Sequence, residues 1–183
     1  SSETATTSVS VTQVANFEGC AGKIFGLGVV GGTSRPAIYT SGAGWVTTTN
    51  DNVALSGSAV DADLFNCYND YLYGVMSGNF WKYGPLSGTP TFDETWQTRT
   101  LTTQFVTDGV WHSKDDVLYI PQGNRIHKWD GTTFLENALV LPSNQFIYGI
   151  AEYGNFLAIA TNDVNDSSLN DSILYLWDRN TSL

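Results

Sequence analysis

"QFIYGIAEYGNFLAIA", residues 145–160, reads as a strand, a tight turn at "YGN" and a second strand. Short runs with period-2 alternation, bounded by Gly and Asn, are the mark of half-buried strands joined as a hairpin. "YLYGVMSGNFWKY" at 71–83 repeats the pattern with "SGN" as its turn. No run shows a 3.6-residue apolar period behind an N-cap for more than a turn or two, so the expected fold class is all-β.

The hairpins belong to a repeat. "KIFGLGVV" at 23–30, "YLYGVMSG" at 71–78, "VLYIPQG" at 117–123 and "FLAIATN" at 156–162 each follow a turn-like cluster, "CAG", "YND", "KDD" and "YGN". Taking Phe25, Tyr73, Tyr119 and Ala158 as equivalent gives spacings of 48, 46 and 39 residues. A second marker, an aromatic just before a turn, recurs at Tyr39, Tyr83, Trp129 and Trp177, with spacings of 44, 46 and 48. Two markers agreeing on one period fix the architecture before any single strand is assigned.

Weaker polar strands are expected at 44–50, 95–103 and 133–141, which makes four strands per unit of about 40–50 residues, the size of a propeller blade. The last unit ends at "LYLWDRNTSL" without a fourth strand, and "TSVSVTQV" at 7–14 offers an unassigned one. The expectation is therefore one β-propeller domain over 1–183, with about four four-stranded blades. Its blades run roughly over 15–50, 60–103, 105–141 and 145–183, the last closed by the strand 7–14. A closed ring leaves no row of unpaired backbone groups at either end. A dimeric ring or a piece of a longer propeller would produce the same pattern. The opening "SSETATTSVSV" is read as a mature chain or a fragment.

Composition excludes some partners. Only 14% of residues are charged, against a usual quarter or so, so Thr, Ser, Asn and Gln must build the surface. The net charge of −10, with 8 Lys and Arg, argues against nucleic acid and against anionic membranes. No apolar stretch is long enough for a membrane span, so no membrane insertion is expected. Cys20 and Cys67 are read first as two small buried hydrophobes, with one disulfide as the alternative.

The pairs Trp129–Asp130 and Trp177–Asp178 resemble the blade-ending dipeptide of WD40-type propellers, without the Gly-His pair that accompanies it there. An apolar ring followed by a turn-starting Asp accounts for them equally. "YGNFLAIATND…ILYLWD", on a Thr-rich, Lys-poor background, is more similar to propeller-like segments of tailed-phage virion and tail proteins. That resemblance implies a structural or receptor-binding module, located on a virion or outside the cell. Its partners would be other virion proteins or a host-surface glycan, with a homo-oligomer possible. A secreted carbohydrate-binding propeller is the alternative, and a propeller glycosidase ranks below both.

Catalytic patterns are poorly represented. His112 and His127 stand alone on strands, and no G-x-S-x-G elbow exists. The acidic pairs Asp61/Asp63, Asp93/Glu94 and Asp115/Asp116 fall in expected turns, where carboxylates are usually solvated. Arg35, Arg99, Arg125 and Arg179 occupy non-equivalent positions, so no arginine clamp is expected. No enzymatic activity and no cofactor are expected. Asp163, Asn165 and Ser167 alternate like the first ligands of a calcium loop. Ser168 and Leu174 stand where that loop's Gly and closing Glu would be, so no metal is assigned. Sequons occur at Asn165, Asn170 and Asn180. Among the tryptophans near strand ends or turns (Trp45, Trp81, Trp96 and Trp111), Trp45 and Trp96 are the expected ligand contacts, since an aromatic face stacks on a sugar ring. Trp129 and Trp177 are expected in the core.

Overall fold

The computed structural model describes residues 13–30, 33–40, 44–47, 64–76, 79–98, 108–165 and 172–180. Among these residues there is no helix, and the strands form four antiparallel sheets of three or four members. The chain divides into two compact units, Ser1–Thr102 and Thr103–Leu183.

In the first unit, β1 (Gln13–Cys20), β2 (Lys23–Val30), β3 (Thr33–Thr40) and β4 (Gly44–Thr47) form one meander. A second contains β5 (Leu64–Tyr68), β6 (Tyr71–Met76), β7 (Asn79–Gly84) and β8 (Thr91–Thr98). The turns carry the chemistry the hairpins need. Ala21 and Gly22, between β1 and β2, have φ of 50° and 72°, and Asn69 and Asp70, between β5 and β6, have 46° and 68°. Positive φ at both central residues marks the turn whose twist matches that of its flanking strands.

β1 lies beside β5. Cys20, Phe25 and Leu27 from one sheet meet Leu72, Trp81 and Tyr83 from the other, with Leu86 closing the cluster. Cys20 and Cys67 are bonded as a disulfide across this contact, with Cα atoms 5.7 Å apart. The first reading of them as separate hydrophobes is thus corrected: strand adjacency brings together two residues 47 apart in sequence.

Beyond β7 the chain doubles back on Asp70. The Leu86 amide donates to the Asp70 carbonyl at 2.9 Å, and the Ser87 amide and hydroxyl donate to its carboxylate. Gly84 sits where this turn meets β6. A Cβ there would lie 2.5 Å from Cδ1 of Tyr71 and 2.8 Å from the Asp70 carbonyl oxygen. The backbone oxygen cannot swing away, so Gly84→Ala is expected to cost about 1–3 kcal/mol, as other overpacked sites do. Urea unfolding of the variant checks this.

The second unit holds the sheet β9 (Val110–His112), β10 (Val117–Gln122), β11 (Arg125–Trp129), β12 (Phe134–Val140). Its other sheet is β13 (Gln145–Tyr153), β14 (Phe156–Asp163), β15 (Ser172–Trp177). Val117, Tyr119, Ile126 and Leu139 pack against Ile147, Leu157, Ile159 and Trp177. The link between the sheets crosses the β10–β11 turn. There the amides of Leu141 and Ile147 donate to the carbonyls of Asn124 and Gly123, each at 2.8 Å.

Most expected strands coincide with observed ones, and two differ. The fourth strand of the second sheet begins at Thr91 rather than 95, because Thr91, Phe92 and Asp93 pair with Gly84, Tyr83 and Lys82. Gln13 and Val14, expected in the closing strand 7–14, belong to β1 and pair with Val29 and Gly28; positions 7–12 lie outside the described residues. Among the described residues the last sheet has three strands.

Candidate functional site

The two Trp-Asp pairs resolve as turn chemistry. Oδ1 of Asp130 accepts from the amides of Thr132 (2.8 Å) and Thr133 (2.6 Å), and Oδ1 of Asp178 accepts from the Asn180 amide at 2.9 Å. A short acceptor two residues before the amide it caps is the Asx-turn device. The amides of Thr133 and Thr132 hold the Asp130 carboxyl below its ordinary pKa. The tryptophans before these acids, Trp129 and Trp177, are buried.

Asp163 repeats the motif. Its carboxylate accepts from the Asn165 amide at 2.8 Å and from Nδ2 of Asn144 at 2.6 Å. Both oxygens are therefore turned to protein donors. Ser167, the third residue of the calcium pattern, lies outside the described residues. Among the described residues no three His, Cys, Asp or Glu side chains gather as a metal site.

One end of the second unit carries a network that the sequence did not suggest. His112 ends β9, Asp115 lies in the turn after it, Tyr119 is on β10 and Arg179 follows β15. Oδ2 of Asp115 accepts from the Tyr119 hydroxyl at 2.7 Å and from Nε of Arg179 at 2.8 Å. The other arm of Arg179 donates to the Asn155 carbonyl and lies 3.0 Å from Nε2 of His112. Because a guanidinium only donates, Nε2 must accept, which leaves the ring proton on Nδ1. Nδ1 lies 3.0 Å from Oδ1 of Asp115, at an angle outside hydrogen-bond geometry. Partial burial alone would raise the Asp115 carboxyl. The hydrogen bonds from Tyr119 and Arg179, with the charge of Arg179, outweigh it and hold the pKa below its ordinary value. Burial, and then the Asp115 hydrogen bond, push the Tyr119 phenol well above its own.

Next to this network, the Ser113 amide and hydroxyl donate to the Glu152 carboxylate, which lowers the Glu152 pKa. The turns at 113–116 and 154–155 and the segment after β15 are thus clamped together by charge. Of the acidic pair Asp115/Asp116, one member is the hub of this clamp. Asp116 instead accepts from the Trp111 indole at 2.9 Å. His127 is a satisfied core histidine: Nε2 pairs with Oε1 of Gln122 at 2.9 Å, and Nδ1 accepts from the Asn137 amide at 3.2 Å.

The first unit presents a different arrangement. Trp96, half-buried on β8, rests on Tyr73 with ring centroids 5.0 Å apart. The Lys82 ammonium, one strand over, lies 5.8 Å from the centroid of Trp96 and 5.4 Å from that of Tyr71. Asp93 stands opposite Lys82 in the β7–β8 ladder. The bulge between Phe80 and Lys82 shifts the register, and this turns Trp96 onto the face of Tyr73 and Lys82. The result is an aromatic platform with one ammonium held at its surface. Flat π faces match the apolar C–H face of a pyranose, and an ammonium donates to hydroxyls or a carboxylate.

Trp45 lies elsewhere, on the outer strand β4 of the other sheet. It is half-buried, with its ring edge-on to the cross-strand Tyr39 at 5.6 Å. The two expected ligand contacts therefore sit on different sheets. Trp81 is fully buried in the core, whereas Trp111 is 45% exposed.

No protein-family model matches the chain, and no curated protein matches it. Among solved structures it is similar to the crystal structure of the computationally designed Ika8 protein, at 14% identity and a TM-score of 0.50. The match covers 88% of this chain and 49% of the designed one, so the chain spans about half that protein's length. At that identity the likeness bears on fold alone.

Proposed function

We propose that the four sheets are blades of a β-propeller serving as a non-catalytic structural or receptor-binding module of a phage-like virion or tail, with a host-surface glycan as receptor. The observation that carries this reading is the Trp96 platform, where Tyr73 supports the indole and Lys82 supplies the donor. Four consecutive meanders support the propeller.

The His112–Asp115–Tyr119–Arg179 network supports the non-catalytic part. Its one basic ring nitrogen is occupied by Arg179, its carboxylate accepts two hydrogen bonds, and its phenol is a weaker acid than usual. Nε2 of His112 and the Asp115 carboxylate, the groups that could accept a proton, are each engaged by Arg179.

A second reading, a secreted lectin, is favoured by the Cys20–Cys67 disulfide, since such bonds persist in oxidising compartments and on exposed surfaces. Both readings place glycan recognition at Trp96. The test is a glycan array probed with the purified chain, followed by titration of the best ligand. Trp96→Ala is expected to weaken binding about tenfold or more, the value of one stacked ring. Lys82→Met is expected to weaken binding selectively for acidic sugars. Equal affinities in wild type and both variants would remove the platform from the account.

A further inference from the structure

Three segments that are distant in sequence meet at one end of the second unit: the turn at 113–116, the β13–β14 turn at 154–155 and the residues that follow β15. Their contacts close a triangle. Ser113 donates to Glu152 and Lys114 to the Asn155 side chain, which joins the first turn to the second. Arg179 donates to Asp115 and to the Asn155 carbonyl, which joins the third segment to both. Each of these contacts uses a side chain. Each segment also carries a residue in the left-handed region, Asp116 at φ 55°, Gly154 at 61° and Arg179 at 71°. For Asp116 and Arg179, which have a Cβ, that conformation is disfavoured and persists where surrounding contacts hold it. Behind the triangle the forces change. His112 is fully buried, and Tyr119, Leu157 and Trp177 belong to the apolar core that the two sheets share.

Charge and hydrogen bonds hold the triangle, whereas apolar burial holds the sheets, and protons act on the first alone. We propose that the triangle is a latch: its three segments open together when the Asp115–Arg179 pair is broken, while the sheets behind them stay folded. The coupling comes from the guanidinium, whose Nε and Nη1 belong to one rigid plane. A plane that leaves Asp115 also leaves the Asn155 carbonyl and His112, and the strained backbone at Arg179 is then free to relax. Acid is the trigger. Around Asp115 stand His112 at the end of β9, Lys114 and Asp116 on its own turn, Tyr119 on β10, Glu152 on β13 and Arg179 after β15. The closed latch binds the Asp115 proton less readily than an open one does. Its stabilisation is therefore fully present above the ordinary carboxyl value of about 4 and is lost as pH falls through the lower, closed value. Glu152, also depressed, acts in the same direction.

The test is native-state hydrogen exchange on the whole chain. At neutral pH the amides of Ser113 and Asp116, of the Tyr153–Phe156 hairpin end and of Asn180 are expected to share one opening constant. That constant should exceed the one for the core amides of Ile126 and Ile159 by about a hundredfold or more. Arg179→Met is expected to raise it about tenfold in all three segments. Ile159→Val, which weakens the core, is expected to leave it unchanged. Once intrinsic exchange rates are divided out, the wild-type constant should rise at acid pH, and rise less in Asp115→Asn. Unrelated constants in the three segments overturn the inference, and so does a shared constant that equals or follows that of the core. An Arg179→Met chain in which only its own segment exchanges faster overturns it as well. If that variant fails to fold, the acid titration of the wild type decides, and faster exchange confined to one segment counts against the latch.

Discussion

Breaking the Cys20–Cys67 bond is expected to lower the stability of the chain by about 4 kcal/mol, the loop-closure entropy of a crosslink spanning 47 residues. The bond ties β1 to β5, the contact through which the two sheets of the first unit share a core. In the reduced chain, closing the segment between the two cysteines costs entropy that the oxidised unfolded chain has already lost. The packing itself survives, because both thiols stay in place. Urea unfolding with and without reductant, followed by far-UV circular dichroism, reads the difference. The double substitution Cys20→Ala, Cys67→Ala is expected to behave like the reduced chain. A midpoint unmoved by reductant would mean that the bond constrains nothing the unfolded chain explores.

The second large effect belongs to Asp115. Replacing it with Asn leaves the Arg179 guanidinium, 13% exposed, without its counter-charge beside the buried His112. Losing one partner of a buried pair costs about 3–5 kcal/mol. The Asp115 side chain is 30% exposed, so water screens part of this and the expected cost is about 2 kcal/mol. The sign of the pH dependence follows from the depressed carboxyl. The folded state binds the Asp115 proton less readily than the unfolded state does. Its contribution is therefore fully present above the ordinary carboxyl value of about 4 and is lost as pH falls through the lower, folded value. Melting temperatures of wild type and Asp115→Asn should differ most at neutral pH and converge at acid pH. Glu152 and Asp130, also depressed, destabilise both proteins alike as they protonate, so the difference isolates Asp115. A gap that stays constant with pH would show that the substitution acts through shape and not through charge.

What the sequence made legible was whatever is local. Strands announced themselves by alternation, and their turns by residues that tolerate positive φ, as at Ala21–Gly22 and Asn69–Asp70. Asp130 and Asp178 were readable as turn-starters because each reaches only two or three residues along the chain. The start of β8 was misplaced because Asp93 and Glu94 look like turn acids. Only the ladder with β7 shows that Asp93 faces Lys82.

The features that give the molecule its chemistry are long-range. Arg179 meets Asp115 across 64 residues, and Cys20 meets Cys67 across 47. Neither pairing has a spacing motif, since it depends on which sheet lies beside which. Trp96 was legible as an aromatic with polar neighbours. The bulge that sets it beside Lys82 and Tyr73 was not. The strands β14 and β15 were half legible: "FLAIA" and "ILYLW" are apolar on both faces, and only the structure shows that Leu157, Ile159 and Trp177 share a core with Val117, Tyr119 and Ile126.

The most direct measurement of the central claim is to watch the six tryptophan indoles by nitrogen–proton correlation spectroscopy while titrating the best glycan from the array. Recognition at the platform predicts that the Trp96 resonance, assigned by its absence in Trp96→Ala, shifts in proportion to occupancy. The buried Trp81, Trp129 and Trp177 should hold their positions. A glycan that binds while the Trp96 resonance stays fixed would contradict the account and place recognition elsewhere on the chain.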